Sequence, residues 1–392
     1  MSSFKIDARD GSARAGVLVT PHGEVRTPAF VPLATTATVK TLHASEVAEL
    51  GYEMVLGNTF HLFIRPGHEH IARMGGLHEF MAWRRPIITD SGGFQVFSMG
   101  HGSVADEIKG RRGERESRIL SIDEEGVRFQ SYADGSPQFM GPETSMEVQA
   151  ALGSDIALAF DECTPFHVDR DYTARSTART HRWLDRCIDW QREHAPDGQL
   201  LFGIVQGGVY EDLRIESAER VTSSDVGGVA VGGSLGQEKA QMREVVAWAL
   251  RPVRDEQPRH LLGIGDVDDI LHAVAAGIDT FDCATPTRLG RHGTALVPDP
   301  DARWRLDLKK PASAESREPI ADGCPCPACR EHTRGYLHYL ARANELTAAR
   351  LITLHNLTFM ALLMKQIREA IARGGLAAYS ADVLAGQLPY SH

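Results

Sequence analysis

Residues 281–293 read FDCATPTRLGRHG and place a carboxylate, Asp282, at the end of an apolar run. The run has the composition of a buried β-strand, and the arginines and glycines after it are typical of a loop. A nucleophile or base beside a cationic loop suits an anionic substrate. An aspartate before a turn can also simply cap the turn. The residues at the other strand ends are needed to choose between a functional and a structural role for Asp282.

Seven more runs rich in Val, Ile, Leu and Phe recur along the chain, each followed by turn residues and a helix-like segment. The eight runs lie near residues 29–34, 53–58, 86–91, 155–161, 200–206, 226–233, 260–265 and 279–284. Helical periodicity is present in 44–50, 142–152, 172–194, 211–221, 238–250 and 267–276. Strands that alternate with helices in this way predict an α/β fold, the (β/α)8 TIM barrel.

Two regions depart from the barrel pattern. Residues 99–140 alternate in polarity around 119–122 and 127–132, which predicts a β-hairpin insertion. Residues 295–330 are expected to be irregular, and a long helix is predicted from about 344 to 374. We therefore divide the chain into a barrel at 1–293, a C-terminal cysteine-bearing subdomain with a closing helix at 294–375, and a C-terminal tail at 376–392.

The composition favours a soluble enzyme. The chain has 392 residues, 42% of them hydrophobic, and no run approaches the roughly eighteen apolar residues of a membrane span. Residues 1–5 lack the layout of a secretory signal, so we expect a cytoplasmic protein with no membrane partner. Six cysteines, three of them between 324 and 329, are too unevenly placed for a disulfide framework.

The net charge of −10 argues against indiscriminate binding to nucleic acid, because such binding depends on Lys and Arg neutralising phosphates. Basic residues nevertheless crowd one C-terminal stretch, namely Arg288, Arg291, Arg303, Arg305, Lys309 and Lys310. Both a local basic surface and an ordinary solvated face are compatible with this cluster.

Polar residues at the carboxyl ends of the predicted strands are candidates for function, because TIM-barrel active sites form at that face. Asp90 and Asp282 could act as base and nucleophile, as paired carboxylates do at a sugar anomeric carbon, although either could instead cap a helix. Asp161 and Gln206 offer acceptor and donor edges for the amide and amino groups of a planar heterocycle. Phe94 could stack on such a ring or belong to the core.

The sequence CPCPAC at 324–329 is the strongest local signal, because it supplies three thiolates within six residues. A tetrahedral zinc ion needs a fourth ligand, for which we choose His355 on the predicted C-terminal helix, with His332 and His338 as competitors. Cys324, Cys326, Cys329 and His355 would form the closed Cys₃His set of a structural zinc ion, which leaves no position for substrate.

Five motifs occur in order along nearly the whole chain: DSGGFQ at 90–95, FDECTP at 160–165, GIVQG at 203–207, FDC at 281–283 with PTR at 286–288, and the cysteine cluster with His355-Asn356. Together they resemble the tRNA-guanine transglycosylase family (queuine tRNA-ribosyltransferase, bacterial type). The resemblance implies exchange of guanine at the anticodon wobble position of GUN tRNAs for a 7-deazaguanine in queuosine biosynthesis. It also implies a zinc-bearing barrel that is usually a homodimer.

The resemblance also assigns roles to individual residues. Asp282 would attack C1′ of the flipped-out guanosine and hold the tRNA covalently, and Asp90 would accept a proton from the incoming base. The base pocket would consist of Asp90, Ser91, Gly92, Gly93, Phe94, Asp161, Gln206, Gly233 and Leu262. The anticodon stem-loop would contact Gly263, Ile264, Gly265, Asp266, Val267, Asp268, Asp269, Thr287, Arg288, Leu289, Gly290 and Arg291. Flipping a base out of the stack and reading its Watson–Crick edge agrees with these residue types.

The sequence departs from the family in three places. GSLGQE at 233–238 stands where bacterial members usually have Gly-Leu-Ala/Ser-Val-Gly-Glu, which leaves the incoming base open between preQ1, the aminomethyl precursor, and queuine. Phe94 and His260 both stand where tyrosine is common. Two alternatives remain: a non-catalytic, zinc-bearing accessory subunit, which the pair Asp90 and Asp282 argues against, and a barrel glycosidase acting on small nucleosides.

Overall fold

The computed structural model describes residues 3–101, 118–164 and 168–389, without the side chains of 98–101. The predicted TIM barrel is confirmed within these ranges: eight parallel strands close on themselves. Part of the predicted 99–140 insertion, residues 102–117, lies outside the described residues. The strands are β1 Phe4–Asp10, β2 Ala13–Thr20, β3 Gly23–Thr27, β4 Ala29–Ala34, β5 Val55–Gly57, β6 Ile87–Thr89, β7 Ile119–Ile122, β8 Val127–Gln130, β9 Pro137–Met140, β10 Ile156–Leu158, β11 Leu200–Val205, β12 Gly228–Val231, β13 Arg259–Leu261, β14 Thr280–Cys283, β15 Thr294–Leu296 and β16 Arg305–Asp307.

The barrel strands follow each other around the ring in the order β4, β5, β6, β10, β11, β12, β13 and β14, and β14 closes the ring by pairing with β4. In that last pair Asp282 lies opposite Val31. Because all eight strands run the same way, their carboxyl ends meet at one mouth. The predicted eight apolar runs therefore correspond to the eight observed strands.

Six helices between the strands match the predicted segments to within two residues at each end. They are Ala44–Glu49, Pro142–Leu152, Arg170–His194, Glu211–Ser223, Lys239–Leu250 and Val267–Ala276. Three short helices between β5 and β6 were not predicted, namely Thr59–Ile64, His68–Arg73 and Gly76–Phe80. Pro142 occupies the first turn of its helix, where a missing N–H costs nothing, and Gly153 ends that helix with φ of 71°. The side chain of Asp169 accepts a hydrogen bond from the backbone of Tyr172 and so starts the longest of these six helices.

Three local predictions differ from the structure. The stretch after Asp282, which reads as a loop, forms the helix Thr285–Arg291, since Pro286 lies in its first turn. The insertion contains a third strand, so β7, β8 and β9 form an antiparallel sheet in its described part. The segment 295–330 contains the antiparallel pair β15–β16 and the short helix Pro327–Glu331.

The N-terminal strands β1, β2 and β3 form an antiparallel sheet that closes the end of the barrel opposite the mouth. Phe4, Leu18 and Val25 pack into the apolar cluster inside the barrel, which includes Leu56 and Phe202. Ion pairs fix this sheet to the starts of the strands. Buried Arg14 binds Asp279, one residue before β14, with 2.6 Å between a guanidinium nitrogen and Oδ2.

The helix Leu346–Ala372 packs against both the barrel and the cysteine-bearing segment. Its length and apolar character would allow it to cross a membrane, but 67% of its most apolar window is buried inside the protein. This burial is typical of a core helix. A further helix, Leu376–Leu384, follows it in the segment that we treat as a tail, and the proposed boundaries between subdomains stay a prediction.

Candidate active site and metal site

The carboxylate of Asp90 lies at the mouth, directly after β6. The backbone N–H of Thr59 donates to its Oδ1 at 2.8 Å, and the side-chain amides of Asn58 and Gln95 both donate to its Oδ2. Burial, and to a smaller extent the charge of Asp282, outweigh the opposing effect of the hydrogen bonds and raise the pKa of Asp90 to about 7. A carboxyl group with this pKa exists in both protonation states near neutral pH, which suits a proton-transfer role.

Asp282, in β14, is 7% exposed and has a different environment. Its Oδ1 lies 3.1 Å from Nε2 of His260, and it accepts a hydrogen bond from the backbone N–H of Gly263 at 3.1 Å. No hydrogen bond from the described residues reaches Oδ2. Oδ1 is therefore held by two contacts, while Oδ2 is available to react with a ligand.

A second polar group lies deeper in the mouth. Buried Asp161 accepts hydrogen bonds from the hydroxyl of Ser91 at 2.8 Å and from Nε2 of Gln206 at 2.6 Å. Burial raises the pKa of Asp161 to about 6, although both hydrogen bonds oppose the shift. Oε1 of Gln206 is buried and has no hydrogen-bond partner within the described part of the chain. The group thus presents an acceptor that a ligand N–H would satisfy.

Glycines allow close packing in the wall of this pocket. A Cβ on Gly93 would lie 2.5 Å from the carbonyl oxygen of Asp161, and one on Gly233 would lie 2.2 Å from Oε1 of Gln206. Gly92 faces Met140 in the same way, at 2.8 Å from its sulfur. Larger residues at these positions would overlap these atoms and displace the groups that form the pocket wall.

The remaining predicted pocket residues lie at its edges. Phe94, near the start of the helix Gly93–His101, is 47% exposed and so is accessible for stacking. Leu262, which follows β13, packs on the apolar cluster of the barrel interior. Its side chain would lie 3.2 Å from a Cβ on Gly232.

Arg214 is a buried residue that sequence reasoning missed, because it lies in a helix that reads as a surface helix. Its guanidinium donates to the backbone carbonyls of Val205, Gly208, Gly232 and Ser234. These carbonyls belong to the exits of β11 and β12. Burial lowers the pKa of Arg214 to about 9. The contacts fix the loop on which Gly233 lies.

The two segments predicted to contact RNA are only partly accessible. Gly263 and Arg288 are exposed, and Ile264, Asp266, Asp268, Leu289 and Arg291 are half-buried. Gly265, Val267, Asp269, Thr287 and Gly290 are buried. The acidic residues of the first segment are already paired, since Lys239 contacts Asp268 at 2.6 Å and Arg305 contacts Asp266 at 3.0 Å.

The three clustered thiols converge on one imidazole nitrogen. Nδ1 of His355 lies 3.6 Å from the sulfur of Cys324, 3.5 Å from that of Cys326 and 3.2 Å from that of Cys329. Zn–S bonds of about 2.3 Å and a Zn–N bond of about 2.0 Å place tetrahedral ligand atoms about 3.5 Å apart. The four side chains therefore fit a zinc ion.

Neighbouring contacts orient the fourth ligand. Nε2 of His355 lies 2.7 Å from the carbonyl oxygen of Leu296, and donation to it leaves Nδ1 free for a metal. The competing His338 is occupied elsewhere, with its Nδ1 2.7 Å from the carbonyl oxygen of Leu308. His332 lies against the ring of Tyr336.

Comparison with known proteins identifies the family. A model of the family described as Queuine tRNA-ribosyltransferase matches residues 9–388, nearly the whole chain. The chain belongs to the queuine tRNA-ribosyltransferase family. This family is known for a structural zinc ion, and the Cys₃His cluster is the place where the chain would hold it.

Curated relatives carry the same name and match end to end. Queuine tRNA-ribosyltransferase of Roseiflexus sp. (strain RS-1) is 49% identical over 97% of this chain and 99% of its own length. The protein of that name from Pelotomaculum thermopropionicum is 46% identical over 97% and 98%, respectively. The protein of that name from Symbiobacterium thermophilum is 45% identical over 94% of this chain and 86% of its own length.

In this member of the queuine tRNA-ribosyltransferase family, the residue after His355, Asn356, binds the backbone of the segment that follows the barrel. The side chain of Asn356 accepts a hydrogen bond from the backbone of Leu296 at 2.7 Å. Its Nδ2 donates to the carbonyl of Pro286 at 2.9 Å and to that of Thr294 at 3.0 Å. Two adjacent residues of one helix thus have different tasks: His355 belongs to the metal cluster, and Asn356 holds the segment that follows Asp282.

A second group of potential metal ligands, at the barrel floor, has a structural explanation. His22, His78 and Asp155 lie close together, but both oxygens of Asp155 already accept backbone N–H groups, from His22 and Ile87. The two imidazole rings stack with centroids 3.6 Å apart and planes 18° apart. A single nearby ion cannot lie in two nearly parallel ring planes, so these residues serve to join the N-terminal sheet to the barrel.

Proposed function

We propose that this protein exchanges guanine-34, at the wobble position of tRNAs with a GUN anticodon (Asp, Asn, His and Tyr), for a 7-deazaguanine. The reaction belongs to queuosine biosynthesis, and the enzyme is a pentosyltransferase. Family membership supports this assignment. The observation that carries it is a pair of carboxylates at one mouth with different environments, Asp282 with one free oxygen and Asp90 with a pKa near 7.

The first step forms a covalent intermediate. Oδ2 of Asp282 attacks C1′ of the flipped-out nucleotide, the C1′–N9 bond breaks, and guanine leaves with a proton supplied by the protonated form of Asp90. Two carboxylates divide nucleophile and acid in this way when sugars are transferred with retention. The pKa of about 7 at Asp90 makes the acid form available near neutral pH.

The second step reverses the first with a different base. The N9–H of the incoming 7-deazaguanine gives its proton to the carboxylate of Asp90, and N9 forms a bond to C1′ while the C1′–Oδ2 bond breaks. Asp282 leaves as a carboxylate and the tRNA is released with the new base. Asp90 returns to its protonated form, so the two steps balance without another reactant.

The base would be recognised by the deeper polar group. The Asp161 carboxylate would accept from the N1–H and exocyclic amine that guanine and 7-deazaguanine share. The unpartnered Oε1 of Gln206 offers one further acceptor, and the exposed ring of Phe94 offers a stacking surface. Arg288 and Arg291, on the helix after Asp282, are suited to RNA phosphates, so the anticodon stem-loop would bind beside the mouth.

The resident zinc ion would be structural. Cys324, Cys326, Cys329 and His355 would use all four tetrahedral positions, and the cluster is buried apart from half-buried Cys329. When bound, the ion would hold the cysteine-bearing segment against the helix Leu346–Ala372. Chemistry at the sugar is left to the carboxylates.

We also propose a cytoplasmic homodimer. Tyr336, Tyr339 and Leu346 lie on neighbouring helices beside the cysteine cluster and are 44%, 65% and 84% exposed. Exposed aromatic and apolar side chains on two consecutive helices, Arg334–Arg342 and Leu346–Ala372, are typical of an interface, and a second copy of the chain would cover them. The test is the molar mass in solution of the wild type and of Tyr339→Glu, which should dissociate; a monomeric wild type would contradict this proposal.

The decisive experiment measures incorporation of labelled guanine into an unmodified tRNA transcript with a GUN anticodon. A transcript that differs only at position 34 is the control. Incorporation into the first transcript alone supports base exchange at the wobble position. Competition between preQ1 and queuine for the same transcript then identifies the incoming base. No incorporation by the folded, zinc-loaded protein would refute the proposal in favour of an accessory subunit, and hydrolysis of free nucleosides would favour a glycosidase.

A further inference from the structure

The mouth contains a buried histidine that the two-carboxylate mechanism does not use. His260 lies in β13 and has no exposed surface. The parallel register pairs His260 with Thr280, which lies two residues before Asp282 on β14. Residues two apart on a strand point to the same face, so the imidazole contacts both side chains.

The contacts of the ring determine where its proton lies. Nδ1 is 2.8 Å from the hydroxyl oxygen of Thr280, and Nε2 is 3.1 Å from Oδ1 of Asp282. A carboxylate can only accept, so Nε2 carries a hydrogen and donates it. In the neutral ring Nδ1 then accepts the hydroxyl hydrogen of Thr280, and the threonine selects the tautomer.

We propose that His260 is a positioning residue for the nucleophile, whose Nε2–H, together with the backbone N–H of Gly263, holds Oδ1 of Asp282 and presents Oδ2 to C1′. The inference rests on the base-exchange function proposed above. Two donors on the same oxygen fix the carboxylate plane, as a catalytic group requires when its angle of attack matters.

The same contact acts on the reverse step. In the covalent intermediate Oδ1 is the carbonyl oxygen of an ester, which accepts a hydrogen bond less strongly than a carboxylate does. When the C1′–Oδ2 bond breaks, its electron pair returns to the carboxylate, and the Nε2–H bond strengthens. His260 therefore favours release of the tRNA from the enzyme as well as correct attack.

The test compares His260→Phe with His260→Tyr, two variants that differ by one hydroxyl. The phenol of tyrosine can donate to Oδ1, whereas phenylalanine has nearly the same size as tyrosine and no donor. Without the donor the carboxylate plane of Asp282 is no longer fixed, and misplacement of this kind lowers a rate by up to about 100-fold, so we expect kcat for guanine exchange by His260→Phe to fall about 10- to 100-fold. The KM for tRNA should stay unchanged, and His260→Tyr should recover most of the rate.

A second readout is the fraction of tRNA bound covalently, measured on a denaturing gel without incoming base. His260→Phe should hold a larger fraction at equilibrium than the wild type, because the free carboxylate loses more stabilisation than the ester. A purely structural role would lower the melting temperature without this shift. Equal kcat in His260→Phe and wild type, or equal losses in both variants, would overturn the inference.

Thr280→Val provides an independent test if His260→Phe does not fold. Valine has nearly the shape of threonine but cannot donate to Nδ1, so the ring loses the contact that orients its Nε2–H towards Asp282. A lower kcat with unchanged KM supports the inference, and wild-type kcat contradicts it. Exchange by the wild type is measured in parallel, so absence of exchange there refutes the proposed function itself rather than the role of His260.

Discussion

Gly290→Ala tests whether the helix Thr285–Arg291 must lie close against the helix Leu346–Ala372. A Cβ on Gly290 would lie 2.5 Å from Oγ1, 2.7 Å from N and 2.8 Å from Cα of Thr353. Ordinary contact begins near 3.4 Å, so the two helices would have to separate by about 0.6–0.9 Å. Two of the three contacts are backbone atoms, which cannot rotate away.

The expected cost is that of overpacking a buried site, about 1–3 kcal/mol, which for a chain of 392 residues corresponds to a melting temperature roughly 1–4 °C lower. The displaced helix follows Asp282 and carries Arg288 and Arg291, and the Asn356 bond to the carbonyl of Pro286 would lengthen. A shift approaching 1 Å next to a catalytic group can lower the rate about 100-fold, so kcat for guanine exchange should fall.

Gly375→Ala is the matched control. It adds the same methyl group at a position whose nearest atom, the carbonyl oxygen of Ala370, is 3.9 Å away, and its backbone φ of −120° suits alanine. Thermal melts and exchange kinetics of both variants are measured beside the wild type. An unchanged melting temperature in Gly290→Ala, with only weaker tRNA binding, would refute the packing argument and indicate that Gly290 acts by contacting RNA.

Three further predictions concern the carboxylates and the metal. Asp282→Asn should abolish guanine exchange and the covalent complex on a denaturing gel while tRNA binding persists; exchange at the wild-type rate would remove Asp282 as nucleophile. Cys326→Ser should lose zinc, measured by metal analysis, and lower the melting temperature; a metal-loaded, equally stable variant would contradict the ligand set. Because the pKa of Asp90 is raised to about 7 in the folded protein, the folded state keeps a proton that the unfolded chain loses above its ordinary pKa near 4. Stability should therefore fall as the pH rises from about 4 to 7, and Asp90→Asn should remove this part of the fall; identical pH dependence of melting in wild type and variant would contradict the raised pKa.

The barrel was predictable because its strands are buried on both faces and so read as short apolar runs between turn signals. The N-terminal sheet was not predicted. Its first strand, FKIDARD at Phe4–Asp10, alternates charged and apolar residues and so lacks the continuous apolar run by which the barrel strands were recognised. The strand after it has only eight residues. The helix Thr285–Arg291 reads as a loop because arginine and glycine outnumber its apolar residues.

The residues of the candidate site that lie at strand ends were predictable from the sequence. Asp90, Asp161, Gln206 and Asp282 all occupy such ends. The partners of the nucleophile were not predictable in this way, since the contact of His260 with Asp282 depends on the register between two strands 20 residues apart. The fourth ligand, His355, was chosen from the sequence over His332 and His338, and the structure places it against the three thiols because the helix Leu346–Ala372 packs beside the cysteine-bearing segment.

The N-terminal sheet covers the end of the barrel opposite the mouth. Phe4, Leu18 and Val25 fill the end of the interior cavity, and the buried pair of Arg14 and Asp279 ties the sheet to the strand that carries the nucleophile. If this segment were removed, the apolar cluster inside the barrel would be exposed to water at that end, and Asp279 would lose its cation. The strand that carries the nucleophile is thus anchored by residues at the far end of the barrel that never contact substrate.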